Sequence, residues 1–255
     1  MDLLAILSGF VVGAIVGLTG VGGGSLMTPL LMGVFKLSPA MAIGTDLWFA
    51  GISKIGGALA HHRMGHIDYR IAGRLLLGSV PASIATIALM HWTGINKTWS
   101  GTLTLALGVA LLLTAVSVAY RKAWTALGQR LARWLPAQHL GAVTVAAGVL
   151  LGVLVSLSSI GAGAIGATLL LLLYPQLPTH RVVGTDIAHA VPLTLVAGVG
   201  HATLGHVDWV LLASLLVGSL PGIWLGAQLT QRLPERLVRG FLCAALLSAG
   251  IKVLN

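Results

Sequence analysis

Gly44-Thr45-Asp46-Leu47-Trp48-Phe49-Ala50-Gly51-Ile52-Ser53-Lys54 leads on to His61 and Gly65-His66-Ile67-Asp68, and the same landmarks return 140 residues later. Gly44-Thr45-Asp46 reappears as Gly184-Thr185-Asp186, His61 as His201, and Gly65-His66-Ile67-Asp68 as Gly205-His206-Val207-Asp208. Gly78-Ser79-Val80-Pro81 matches Gly218-Ser219-Leu220-Pro221 in the same register. Four separate matches at one spacing identify an internal repeat. A glycine-rich break precedes each copy: Thr19-Gly20-Val21-Gly22-Gly23-Gly24 aligns with Ser158-Ser159-Ile160-Gly161-Ala162-Gly163 at an offset of 139, so one residue is inserted before the next landmark.

The repeat lies in a chain that cannot build a water-facing surface. Of 255 residues, 56% are hydrophobic and 8% are Asp, Glu, Lys or Arg, against about 25% charged residues in soluble domains. Mean hydropathy is +0.96. A membrane span needs about 20 mostly apolar residues, and runs at 3–19, 42–60, 71–92, 99–120, 140–157, 182–200, 210–230 and 238–254 meet or approach that length. Shorter runs at 25–35 and 164–174 each follow a glycine break. The expected fold is an all-α polytopic membrane protein with about 8 spans and two half-length segments. The N-terminus, Met1-Asp2-Leu3-Leu4, has no basic n-region, so the first run is expected to stay as a span. The single cysteine, Cys243, excludes an internal disulfide and cysteine-cluster chemistry.

Basic residues sort by loop. Arg63, Arg70 and Arg74 follow the second run, while the equivalent 201–209 has neither Lys nor Arg. The next loop has Lys97 alone in the first copy but Arg232, Arg236 and Arg239 in the second. Lys and Arg mark the cytoplasmic side, so the two copies are expected to be inverted, with 25–35 and 164–174 as legs of a broken or hairpin element. The formal charge of +9 then reflects topology, and nucleic acid is excluded as a partner. Residues 121–139 carry Arg121, Lys122, Arg130 and Arg133 with Trp124, Leu127, Leu131 and Trp134 at helical spacing, an interfacial cytoplasmic helix. It divides a first repeat, 1–120, from a second, 140–255.

Inverted repeats place a transporter's site near mid-membrane at their interface. Backbone unwound there is tolerated where it lines a cavity, and a following half-helix offers N–H groups and its positive dipole end to an anion. Gly22, Gly23, Gly24 and Ser25, with Ser158, Ser159, Gly161 and Gly163, are therefore candidate substrate-binding residues; close helix packing by small residues is the competing explanation. Lys54 is the basic residue deep in an apolar run. Such a lysine costs about 2.5–3.5 kcal/mol on insertion scales, so it should face a cavity or a carboxylate. On a helix, Asp46, Ala50, Lys54, Gly57 and His61 share a stripe about 80° wide, and Asp186, Ala190, Thr194, Ala197 and His201 repeat it. Asp46, Asp186, His61 and His201 are candidate coupling or gating groups; helix N-capping is the alternative for the two acids. His66 and Asp68, with His206 and Asp208, read as loop residues and caps.

These motifs resemble the sulfite exporter TauE/SafE family of membrane permeases. The resemblance rests on Gly22-Gly23-Gly24 followed by Pro29, then Gly44-Thr45-Asp46, Lys54, Gly65-His66-Ile67-Asp68 and their second copy, and it covers about residues 3–254. It implies movement of small sulfur oxyanions or organosulfonates across the bacterial inner membrane, coupled to an ion gradient. Ala162 replaces the central glycine of the second break, which makes the two sides of a site unequal. The expected partners are a small anionic substrate and the lipid bilayer, with a homodimer left open; no cofactor, metal or enzymatic activity is expected. A divalent-cation transporter using the repeated His and Asp residues is the alternative. An intramembrane hydrolase built on the two Asp, or on Ser25 or Ser159, is the weakest reading.

Overall fold

The computed structural model describes residues 2–19, 24–94, 97–132, 134, 136–229 and 235–254. Among them helix is the only regular structure. The first copy comprises α1 (Leu3–Thr19), α2 (Gly24–Gly33), α3 (Pro39–Arg63), α4 (Tyr69–Thr93) and α5 (Lys97–Ala119). After α6 (Arg121–Leu131), the second copy repeats the order as α7 (Ala137–Ser158), α8 (Ala164–Leu173), α9 (Thr179–Thr203), α10 (Trp209–Leu229) and α11 (Glu235–Leu254). Helices α1 and α7 end 139 residues apart, whereas α2 and α8 begin 140 apart. The extra residue thus falls inside the second break.

Five helices among the described residues are long and apolar enough to cross a membrane: α4, α5, α7, α9 and α10. Helix α3 has the length but carries Asp46 and Lys54, and α1 is a turn short. The protein is a multi-pass membrane protein.

Glycine dictates how the copies join. Gly9, Gly13 and Gly17 face Leu215, Ser219 and Ile223 on α10, while Gly218, Gly222 and Gly226 face Ile6, Phe10 and Ala14 on α1. A Cβ at any of these six would run into a backbone carbonyl, so the four-residue glycine spacing lets the two backbones touch. Helices α4 and α7 use the same device, with Gly78 on Val145 and with Gly148 and Gly152 on Leu75 and Ser79. In both pairs the facing numbers rise together, so the helices are parallel. Both pairs join the first copy to the second.

Helices α3 and α9 pair the other way. Gly51 faces Thr194 and Leu195, Gly57 faces Ile187, and Gly198 faces Trp48, so the numbers run in opposite directions. Equivalent helices of two copies that lie antiparallel are the arrangement an inverted repeat makes. Ile43, Leu47, Ala190, Leu193 and Ala197 fill the seam between them with Leu103 and Met90.

The turns after α3 and α9 explain the recurring Gly-His-x-Asp. Gly65 and Gly205 sit at φ +67° and +74°, the left-handed region that glycine adopts without strain. The His66 N–H reaches back to the His61 carbonyl at 3.0 Å, and that of His206 to His201 at 2.9 Å, a bond that closes a helix C-terminus. Asp68 then caps α4 by accepting the Ile71 N–H, and Asp208 caps α10 by accepting that of Leu211.

Asp46 and Asp186, by contrast, are not caps. Helix α3 starts seven residues before Asp46, with Ser38 as N-cap and Pro39 in the first turn; α9 starts seven before Asp186. Both acids are buried well inside helices, so the capping alternative falls. Helix α6 occupies the expected amphipathic segment, with Leu127, Leu131 and Trp134 exposed and Gly128 seated on the Leu171 and Leu172 carbonyls of α8; Arg133 lies outside the described residues.

Candidate functional site

Each Gly-Thr pair holds the turn of the other copy. The Thr45 hydroxyl accepts the Asp208 N–H at 3.0 Å, and the Thr185 hydroxyl accepts that of Asp68 at 2.9 Å. Gly44 lies against the His206 carbonyl and Gly184 against that of His66, where a Cβ would intrude. Antiparallel packing of α3 and α9 creates this exchange, because the start of one helix lies beside the end of the other. At one end His61 meets His66, Nδ1 to Nδ1 at 3.3 Å, and at the other His201 meets His206 at 3.2 Å. The two ends differ in depth. His201 is sealed and donates Nε2–H to the Ser156 carbonyl at 2.9 Å, while His61 is half-buried and the His66 ring meets that of His180 at a tilt, with centroids 4.5 Å apart.

Between these ends lie three charged side chains. Lys54 donates to the Ala162 carbonyl at 2.6 Å, in the second glycine break. Asp186 and Asp46 are the carboxylates near enough to act on it, yet neither closes an ion pair with it; among the described residues the ion pair is Arg181 with Asp68, at 3.6 Å. Asp46 accepts a hydrogen bond from the Thr28 hydroxyl, and its other oxygen has no partner. Asp186 has Oδ1 unpartnered, at the point where Gly166 of α8 leaves room for it.

A cavity of about 530 Å3 reaches Lys54 and Asp186 from one end of the molecule. Its walls are α3 (Ser53, Lys54, Gly57, His61), α8 with its preceding Gly163, and the first half of α9. Arg121 and Arg239 stand among its lining residues with the ends of α1, α5 and α10. Three cationic side chains and one carboxylate thus line it. Asp46 and His201 are outside it.

The glycine breaks contribute unevenly. Gly22 and Gly23 lie outside the described residues, Gly24 opens α2, and Ser25 is buried. In the second break Ser158 is spent on structure: its hydroxyl donates to Leu154 and accepts the Ile160 N–H. Ser159 ends α7 at φ 59°, its hydroxyl beside Asp46. Gly161 and Gly163 have φ of +129° and +146°, conformations that leave their carbonyls to accept the Gly166 and Ala167 N–H groups. The Ala164 and Ile165 N–H groups at the start of α8 remain without a protein partner.

Three residues of this region escape a reading of motifs. His189 is fully buried, meets the Ser79 hydroxyl through Nε2 at 2.9 Å, and leaves Nδ1 unpartnered; its position three after Asp186 was the visible signal. Thr28 and Thr168 are equivalents at the 140-residue offset, a match outside the Gly-Thr-Asp landmarks. Thr168 lines the cavity and donates to its own helix at Ala164.

The chain matches the family model described as "Sulfite exporter TauE/SafE" over residues 5–253. It is 37% identical to the "Probable membrane transporter protein YjnA" of Bacillus subtilis (strain 168), with all of both chains covered. It is 29% identical to the "Probable membrane transporter protein YdhB" of the same organism, over 99% of this chain and all of that one. A "Probable membrane transporter protein MJ0441" of Methanocaldococcus jannaschii is 24% identical over 98% of this chain and 94% of its own. No solved structure matches.

Proposed function

The chain belongs to the sulfite exporter TauE/SafE family, and from that premise we propose that this membrane transporter moves a small sulfur-containing anion, such as sulfite or an organosulfonate, across the bacterial plasma membrane. The observation that carries the anion is the cavity, whose deepest cation, Lys54, is held by a carbonyl and not locked in an ion pair. Arg121 and Arg239 give its entrance the same sign. The unclaimed N–H groups at the start of α8 add donors of the kind helix N-termini offer to oxyanions.

Arg63, Arg70, Arg121, Lys122 and Arg181 sit at or next to helix ends, and Arg121 lines the cavity near His61, two residues before Arg63, so the positive-inside rule favours a cytoplasmic mouth. The structure is then a state open inward. Exchange of conformation between the copies closes this cavity and opens its equivalent at the other face, where Asp46 and His201 take the places of Asp186 and His61.

Proteoliposome uptake of sulfite and methanesulfonate tests the reading. Lys54→Gln is expected to abolish flux while the purified protein remains folded; flux equal to wild type removes Lys54 from the site and with it the cavity argument. The divalent-cation alternative finds less support, since no group of three or more His, Cys, Asp or Glu among the described residues is arranged to hold an ion. The relatives' names favour transport over hydrolysis.

A further inference from the structure

Resting on the anion reading above, we propose that the substrate binds Lys54 in exchange for Asp186, which takes up one proton as the anion replaces it as the lysine's counter-charge.

Four observations carry this. Lys54 and Asp186 line the same cavity at 8% and 3% exposure, so water reaches both and neither is freely solvated. The ammonium has three donors; one is given to Ala162, and the remainder face a space in which no carboxylate has closed a salt bridge. Asp186 keeps Oδ1 unpartnered against α8, so it has a free site for a proton. The equivalent acid differs in both respects: Asp46 is outside the cavity and already accepts from Thr28.

Charge balance then sets the order of events. Lys54 with an ionised Asp186 is neutral before the anion arrives. An added anion leaves an uncompensated negative charge in a poorly hydrated site, which is strongly disfavoured. A proton given up by buffer acid in bulk solvent and relayed through the cavity to the Asp186 carboxylate restores neutrality, leaving Lys54 ammonium, anion and carboxylic acid in the site and the conjugate base of the buffer outside it. No covalent bond other than that O–H forms. Lys54 acts directly on Asp186; the other titratable or charged groups around the site are Asp46 and His61 on α3, His189 on its own helix, and Arg121 and Arg239 in the cavity lining. From α4, Ser79 is bound to His189. Helix α8 presents Gly166, and α7 gives the Ser156 carbonyl to His201. Lys54 attracts the Asp186 carboxylate in the empty site, and a bound anion weakens that attraction.

Isothermal titration of the detergent-purified full chain with methanesulfonate and with sulfite, each in two buffers of different ionisation enthalpy, reads protons taken up per anion bound. Wild type is expected to take up about one more proton than Asp186→Asn with either anion at pH 8, which cancels any proton the ligand itself carries. Wild-type affinity should weaken up to about tenfold per pH unit above the titration of the site, whereas Asp186→Asn binds with a flat profile and more tightly at pH 8. Asp208→Asn, which keeps its helix cap, retains the uptake. Anion binding with equal uptake in wild type and Asp186→Asn overturns the exchange and leaves the anion reading standing. Failure of both anions to bind wild type at any pH overturns the anion reading and the exchange together. Should Asp186→Asn not fold, the wild type decides alone: binding of methanesulfonate without proton uptake overturns the proposal.

Discussion

The two Gly-Thr-Asp helices have the same landmarks and opposite surroundings. On the second copy, Ala167, Thr168, Leu171, Val183, Asp186 and Ile187 line the cavity. Their equivalents 140 residues earlier, Met27, Thr28, Leu31, Ile43, Asp46 and Leu47, are all at 0% exposure. The reverse holds along α3, where Lys54 and His61 line the cavity while Thr194 and His201 are sealed. A near-symmetric sequence has thus folded into a strictly one-sided site. The difference lies in how the helices pack around each copy, and the proposed alternating access exchanges the two packings.

The most severe way to break the comparison is to move its charge. Lys54→Thr combined with Thr194→Lys places the lysine on the sealed copy, without the Ala162 carbonyl. The cavity then loses its deepest cation, so proteoliposome flux should be abolished, as in Lys54→Gln. Flux near wild type means the copies are interchangeable at this position.

A gentler change separates the two acids. Thr28→Val strips Asp46 of its hydrogen-bond donor and should lower thermal stability by about 1–3 kcal/mol. Thr168→Val, at the equivalent position, removes only a bond to its own helix and should cost less than about 1 kcal/mol. Equal melting-temperature losses contradict the asymmetry.

The cross-copy latches sharpen it from the symmetric side. Thr45→Val and Thr185→Val each orphan one backbone N–H, of Asp208 or Asp68, so both should destabilise by similar amounts, about 1 kcal/mol or more. Unequal losses would show that one end is held more firmly than the other.

The smallest effect concerns pH. Burial holds the His206 imidazole below its usual range, so it takes up a proton less readily folded than when unfolding exposes it. The unfolded chain therefore binds the extra proton as pH falls through the ordinary histidine range, and stability declines from about pH 7 to pH 5. His206→Asn should flatten part of that decline in thermal melts; an unaltered slope assigns it to other groups.

Much of this architecture is legible in the sequence because it is written twice. The repeat, the half-length segments after the glycine breaks, the amphipathic α6 and the buried position of Lys54 all follow from spacing and apolar run length. The helix starts were harder. Ser38-Pro39 is a cap and first-turn signal, but the hydropathic run begins only at Ala42, which makes Asp46 look like a cap. The role of Gly44-Thr45 was not legible at all, since its partner is the turn of the other copy and the contact exists only once α3 and α9 lie antiparallel. Which copy faces water was equally hidden: exposure is set by tertiary packing, and Thr28 and Thr168 are the same letter.

Cysteine accessibility tests the one-sidedness most directly. In a Cys243→Ser background, Ala167→Cys and Met27→Cys report equivalent positions with a membrane-impermeant maleimide applied to right-side-out and inside-out vesicles. The account predicts that Ala167→Cys labels from the cytoplasmic, arginine-rich face and that Met27→Cys labels, if at all, only from the opposite face. Labelling of both positions from the same face would contradict it.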